Sequence, residues 1–206
     1  MQAQSEALDR LLDPRGSLRG DLRRELRAHE QFELRDGLPL GARLLPLRPL
    51  LDAGAARVAD EMAHRRLAVR IETDQDKSAF VDPPALSAVV AHLLIETAAV
   101  SPEGETLYLA CRCGGPGVSM IRVSDSGCVA AARAVEPAVE MATCRTILSA
   151  VGGGLSRIKR PDGGAVHWLS IPDARVESGV EGDRAPGAGA GCEAVSAQAR
   201  ADARKL

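Results

Sequence analysis

A carboxylate at the end of a β-strand is the residue best placed for ligand chemistry in this sequence. Apolar and polar residues alternate through residues 118–125, which predicts a strand that ends in a turn at Asp125. Ser126 and Gly127 then let the backbone turn away without a bulky side chain. Such a carboxylate can accept a hydrogen bond from a ligand's amino group, although many strands end in the same turn signal without binding anything.

A second set of polar side chains lies on an apolar helix predicted over residues 84–100. His92 and Glu96 are four residues apart, so both side chains lie on one face of that helix. Glu96 can ligate Mg²⁺, because hard cations take carboxylate oxygens. The alternative for Glu96 is an ordinary helix residue, and the alternative for His92 is a structural histidine whose hydrogen bonds are satisfied.

The order of predicted elements indicates the fold class. A helix over 50–66 and a strand over 67–72 precede the helix over 84–100, and a hairpin over 105–112 and 118–124 follows it. A helix over 138–151 and a second hairpin over 155–159 and 165–171 complete the order. This order predicts an α+β two-layer sandwich with a mixed, mainly antiparallel sheet. No G-x-G-x-x-G follows the first strand and no Walker loop is present.

These elements and their local sequences resemble the ATP-binding domain of sensor histidine kinases, the GHKL or Bergerat-fold ATPases, over roughly residues 47–172. The resemblance implies that Asp125 accepts a hydrogen bond from the adenine amino group and that Gly127 is the first glycine of the D-x-G-x-G box. Residues 92–98, HLLIETA, match the family's N-L-L-x-N-A. Glu96 therefore occupies the position of the magnesium-holding asparagine, and His92 occupies the preceding polar position.

The sequence departs from the family where the triphosphate binds. Val129 replaces the second glycine of the D-x-G-x-G box, and residues 138–141, AVEM, align with the family's G-L-G-L. No glycine remains there to present backbone N–H groups to phosphate, and Glu140 adds a like charge. The resemblance therefore implies a degraded nucleotide site, with no cofactor expected, or ATP and Mg²⁺ bound through Asp125, Gly127, His92 and Glu96 if the site is active.

The N-terminal residues predict helices over 5–12 and 17–34, separated by a turn at 13–16. Leu18, Leu22 and Leu26 form a narrow apolar stripe, which needs a partner surface. The stripe either packs on its own domain or serves dimerisation or docking. His29 is the one candidate for a phospho-accepting histidine, although the proline that follows it in the family is missing.

The predicted organisation is an N-terminal helical segment (1–36), an ATPase-like domain (47–172) and a disordered tail (173–206) with few large apolar residues. A net charge of −2 and an aromatic content of 2% argue against nucleic-acid binding. The odd number of cysteines favours reduced thiols in a cytoplasm. Neither a signal peptide nor an apolar run of about 20 residues is recognised.

The functional hypothesis is a cytoplasmic regulatory or scaffolding pseudokinase of two-component signalling, which binds a kinase, a response regulator or a second copy of itself. An enzyme is the first alternative: a divergent kinase catalytic domain that uses Glu96 for the metal and Asp125 for adenine. A histidine phosphotransferase that carries its phosphate on His29 is the second.

Overall fold

The computed structural model describes residues 14–30, 34–35, 38–39, 41–73, 77–125, 139–159 and 165–173. The described helices are α1 (Pro14–Glu30), α2 (Leu47–Ala56), α3 (Ala59–His64), α4 (Pro83–Val100) and α5 (Val139–Ser149). The first strands are β1 (Leu34–Arg35), β2 (Leu38–Pro39), β3 (Arg43–Pro46), β4 (Ala68–Thr73) and β5 (Ser78–Val81). They are followed by β6 (Thr106–Gly115), β7 (Val118–Ser124), β8 (Gly154–Lys159) and β9 (Ala165–Pro172).

A five-stranded sheet of order β4-β6-β7-β9-β8 forms one layer of the fold. β4 and β6 are parallel, and the other three pairings are antiparallel. β3 pairs with β5, and β1 pairs with β2, as separate two-stranded ladders. The helices pack against one face of the five-stranded sheet, so the predicted α+β sandwich with a mixed, mainly antiparallel sheet is confirmed.

α4 is the central helix of the core. It begins with two prolines, which suit the first helical turn because their missing N–H groups have no partner there. It contacts α1, α2 and α5 on the helical side and β6 and β7 on the sheet side. Among the described helices it is the one long and apolar enough to cross a membrane, but most of it is buried within the fold, as is typical of a core helix.

Two interactions fix α4 against the preceding segment. Arg65, just after α3, donates hydrogen bonds to the carbonyl oxygens of Ala98 and Ser101 at the carboxyl end of α4, the second at 2.9 Å. Gly54 of α2 lies so close to α4 that an added Cβ would be 2.7 Å from Cγ1 of Val90. A residue without a side chain is therefore required at this contact between the two helices.

The prediction of one helix over 50–66 was wrong. α2 already begins at Leu47 and ends at Ala56, and a separate α3 follows. Val58 interrupts the helical path with φ −114° and ψ 9°. Its side chain is buried in the core together with Met62, so the break turns both side chains inward.

The predicted turn at residues 13–16 was also wrong, because α1 already begins at Pro14, where proline is tolerated in the first turn. α1 ends at Glu30, and Leu34–Arg35 pairs with Leu38–Pro39 instead of extending the predicted helix over 17–34. The predicted helix over 5–12 and the tail predicted to be disordered beyond Asp173 lie outside the described residues.

α1 packs on the chain's own helices. It contacts α4 and α5, and the side chains of Leu22 and Leu26 are 2% and 0% exposed. Arg57, between α2 and α3, donates to both carboxylate oxygens of Glu25 on α1. The apolar stripe therefore packs on its own domain, which is the first of the two alternatives given above. The predicted domain boundary at residue 36 stays a prediction.

Candidate functional site

Strand β7 delivers Asp125 to the helix-facing side of the sheet. Val123 of β7 is the register partner of His167 on β9, and both are buried, as is Ile121, opposite Leu169. Asp125 continues this alternation one residue beyond the strand and is only 4% exposed. The predicted strand over 118–124 and its final carboxylate are therefore placed as the sequence pattern indicates.

α4 supplies the opposite side of the site. His92 is 7% exposed, and Glu96, one turn later, is half-buried. Within the described residues Glu96 forms neither a hydrogen bond nor an ion pair. No other described residue therefore engages its carboxylate, which lies on the same helix as His92.

His167 is a buried polar residue that the sequence analysis did not single out. Its burial, followed by the positive charges of Arg157 and His92, lowers its pKa from 6.5 to about 4. Arg157 is its register partner on β8, and His92 approaches it from α4. The signal was present in the alternation of the last strand, which puts His167 on the same buried face as Leu169 and Ile171.

The structure brings three polar residues to the helix–sheet boundary. His92 and His167 interact across it, and Asp125 follows Val123, which pairs with His167. Nδ1 of His167 and Nε of Arg157 are buried and have no hydrogen-bond partner within the described residues. The boundary beside Asp125 is thus rich in nitrogen donors and acceptors, unlike the aliphatic core on either side of it.

The metal chemistry of the site is limited by its donors. The described residues contain no group of three or more His, Cys, Asp or Glu side chains that can hold a metal ion. Glu96 offers a carboxylate to Mg²⁺, but it also brings negative charge toward any phosphate beside that ion. The role of Glu96 as a magnesium ligand therefore stays a prediction.

Comparison with solved structures identifies the architecture around these residues. The catalytic domain of histidine kinase ThkA superposes with a TM-score of 0.55 at 15% identity, over 64% of this chain and 97% of that chain. The chain has the fold of a histidine kinase catalytic domain. Neither a protein-family model nor a curated protein matches the sequence.

Two further structures support the same fold. The cytoplasmic segment of histidine kinase QseC matches with a TM-score of 0.56 at 16% identity, over 73% of this chain and 93% of that chain. ThkA in complex with the response regulator protein TrrA matches with a TM-score of 0.54 at 16% identity, over 65% of this chain and 42% of that chain. At such identities the likeness concerns the fold.

The two predicted glycine boxes lie largely outside the residues that the structure describes. Gly127, Val129 and the segment up to residue 138 lie outside the described residues. The roles of Asp125, Gly127, His92 and Glu96 toward nucleotide therefore stay predictions, as does the replacement of the glycine boxes.

Proposed function

We propose that this protein is a cytoplasmic regulatory or scaffolding pseudokinase of two-component signalling. The proposal is supported by the histidine kinase catalytic fold, together with the sequence resemblance that aligns Glu96 with the magnesium-holding asparagine. A carboxylate at that position adds negative charge beside the triphosphate and cannot donate a hydrogen bond as an amide can. The aligned replacements at Val129 and residues 138–141 remove the glycines that would give phosphate access to backbone N–H groups.

The partner in this proposal is a kinase or a response regulator. ThkA, which shares the fold, has been solved in complex with a response regulator, and the QseC match is a cytoplasmic segment. Both facts support a two-component partner and a cytoplasmic location for this chain. A homodimer is the second partner class that the proposal retains.

Isothermal titration with Mg-ATP and with a non-hydrolysable analogue tests the proposal. The expected result is no binding in the micromolar range. A dissociation constant of a few micromolar, which corresponds to about −7 to −8 kcal/mol, would overturn it.

The rival hypothesis of a divergent active kinase is favoured by one observation, the burial of Asp125 at the end of β7. Glu96→Ala separates the two. If Glu96 is a metal ligand, this change weakens Mg-ATP binding, and Asp125→Asn abolishes it. If the site is degraded, Mg-ATP binding is absent from the wild-type protein and from both variants.

Glu103→Gln is the matched control, since it removes a carboxylate from an exposed turn after α4.

The phosphotransferase alternative needs acid-labile phosphate on His29. That side chain is mostly buried on α1, with Nε2 3.7 Å from Oε1 of Glu25. A His29→Gln variant that still accepts phosphate from a kinase would exclude it.

A further inference from the structure

The sheet has a second face that does not belong to the core. The register aligns one row across all five strands of this face: Glu72, Ala110, Arg122, Trp168 and Ser156. The next row is Arg70, Tyr108, Ser124, Val166 and Ile158. We call these two rows, together with Arg112 and Met120, the outer sheet face.

The helices do not cover the outer sheet face. Val69, Ile71 and Leu155, on the helix-facing side of the same strands, pack against the core cluster. None of the described apolar residues on this face belongs to that cluster or packs against it: Tyr108, Ala110, Met120, Ile158, Val166 and Trp168. Ala110 and Met120 are nevertheless buried, at 2% and 7% exposure, so the accessible apolar part of the face consists of Tyr108, Ile158, Val166 and Trp168. The outer sheet face is therefore a distinct surface.

Its composition is that of a protein-binding surface. Trp168 and Tyr108 are the one tryptophan and the one tyrosine of the whole sequence, and both lie here, half-buried. Tryptophan, tyrosine and arginine are the residues most enriched at the energetic centres of protein interfaces. Because the chain has so few aromatic residues, the presence of both on one face supports a protein-binding role for that face.

The charges of the outer sheet face are positive and partly uncompensated. Arg70 is paired with Glu72, with Nε 3.0 Å from Oε1. Arg122 and Arg112 form no ion pair with any described residue, and Nε of Arg122 is buried without a hydrogen-bond partner among them. Oγ of Ser156, on the other side of Trp168, is also buried and has no hydrogen-bond partner among the described residues.

We propose that the outer sheet face binds an acidic peptide segment, with apolar side chains, of a partner protein. Carboxylates of the segment pair with Arg112 and Arg122, and its apolar side chains pack on Trp168 and Tyr108. This inference rests on the proposed scaffolding role and names the surface that would perform it.

Two other occupants fit the surface less well. A twofold interface between two copies would add a second Arg112 and Arg122 to a face whose one carboxylate, Glu72, is already paired with Arg70. Single-stranded nucleic acid needs a positively charged groove. Two uncompensated arginines on a chain of net charge −2 do not form one.

Trp168 is a built-in reporter for this test, because its fluorescence comes from this face alone. The probe is a fluorescein-labelled peptide of about eight residues that alternates Glu and Leu, long enough to cross the five strands. We expect saturable binding by anisotropy. With the unlabelled peptide we expect a blue shift of Trp168 emission and protection from iodide quenching.

Arg112→Gln and Arg122→Gln should each weaken binding roughly tenfold, as expected for loss of a charge-assisted hydrogen bond. The matched control is Arg27→Gln on the exposed side of α1, which should leave binding unchanged. Arg112 is exposed, so its variant is expected to fold even if Arg122→Gln does not.

Four outcomes would overturn the inference: no response to the Glu-Leu peptide, an equal response to a Lys-Leu peptide, a stronger response to a single-stranded oligothymidylate, or an emission shift on protein dilution alone. Nucleotide is absent from this experiment. If neither the peptide nor Mg-ATP binds, the proposed peptide-binding surface is wrong and the pseudokinase proposal stands. If Mg-ATP binds with micromolar affinity and the peptide also binds, the pseudokinase proposal is wrong and the peptide-binding surface stands.

Discussion

His92 on α4 and His167 on β9 lie close enough across the helix–sheet boundary for the charge of one to affect the protonation of the other. Together with Arg157 they put three nitrogen-bearing side chains beside the predicted nucleotide aspartate, Asp125. His92, His167 and Asp125 are thus three buried polar residues beside the aliphatic core.

The first prediction is a loss of stability in acid caused by His167. Burial, then Arg157, then His92 lower the pKa of His167 to about 4 in the folded protein. The unfolded chain binds this proton near pH 6.5, so stability is full above that pH and falls between about pH 6.5 and pH 4. From pH 7 to pH 4.5 the loss should be about 2 kcal/mol. Urea unfolding at both values measures it.

His167→Gln should remove most of this pH dependence. His64→Gln is the matched control, because His64 is exposed and lies at the end of α3. If the His167 variant retains the wild-type slope between pH 6.5 and 4.5, the buried neutral histidine is not its origin.

The second prediction concerns the ion pair that ties α1 to the domain. Arg57 donates two hydrogen bonds to Glu25, and this lowers the pKa of the Glu25 carboxyl. Its stabilisation is therefore present above the ordinary pKa of 4.5 and is lost as pH falls through the folded value. A double-mutant cycle with Arg57→Gln and Glu25→Gln should give a coupling of about 1 kcal/mol at pH 7.

The control cycle uses Arg48 and Asp52, which are both exposed and one turn apart on α2. Its coupling should be no more than about 0.5 kcal/mol. Hydrogen exchange of the α1 amides should accelerate in the Arg57 variant and not in the Arg48 variant. Equal couplings in the two cycles would show that the pair does not anchor α1.

The sequence was sufficient where a segment's own pattern determines its structure. Alternation defined β7 over Val118–Ser124, and the apolar run defined α4 to within one residue of its start at Pro83. It was insufficient for residues 50–66, where apolar periodicity continues across the break at Val58 because both helices face the same core. Local pattern does not report a change in helix direction.

Pairings between distant segments were beyond the sequence for a related reason. The parallel ladder of β4 and β6 and the meeting of His92 with His167 depend on how α4 packs on the sheet. His92 was noticed through the family pattern, whereas His167 lacks a motif of its own. The outer sheet face was equally hidden, because Arg122 and Trp168 become neighbours only through the register of β7 and β9.

The third prediction compares two glycines that lie within helices. Gly54→Ala should destabilise the protein by about 1–3 kcal/mol, because the new methyl group would be 2.7 Å from Cγ1 of Val90. Gly20→Ala on α1 should stabilise it by about 0.5–1 kcal/mol, since the nearest atom is the flexible end of Arg24 at 4.0 Å. Thermal unfolding of both variants tests the contrast, and shifts of the same sign would contradict the close α2–α4 packing.

The fourth prediction concerns the carboxyl end of α4, which Arg65 holds from outside the helix. Its guanidinium donates to the carbonyl oxygens of Ala98 and Ser101, and a cation is favourable at a helix carboxyl end. Arg65→Ala should cost about 1–3 kcal/mol, because a charged donor to two carbonyl oxygens is lost. Arg65→Lys should recover only part of this, since one ammonium group lacks the fork that spans both oxygens.

Arg66→Ala is the control for Arg65, because Arg66 is the next residue and is exposed. Its backbone is left-handed, with φ 56°, and alanine keeps the same Cβ there, so the change should cost little. Urea unfolding ranks the variants, and hydrogen exchange at residues 97–101 locates the effect. If Arg65→Ala and Arg66→Ala have equal stability, α4 is held by its packing alone. The order alanine, lysine, arginine in rising stability at position 65 would instead show that its carboxyl end needs this donor.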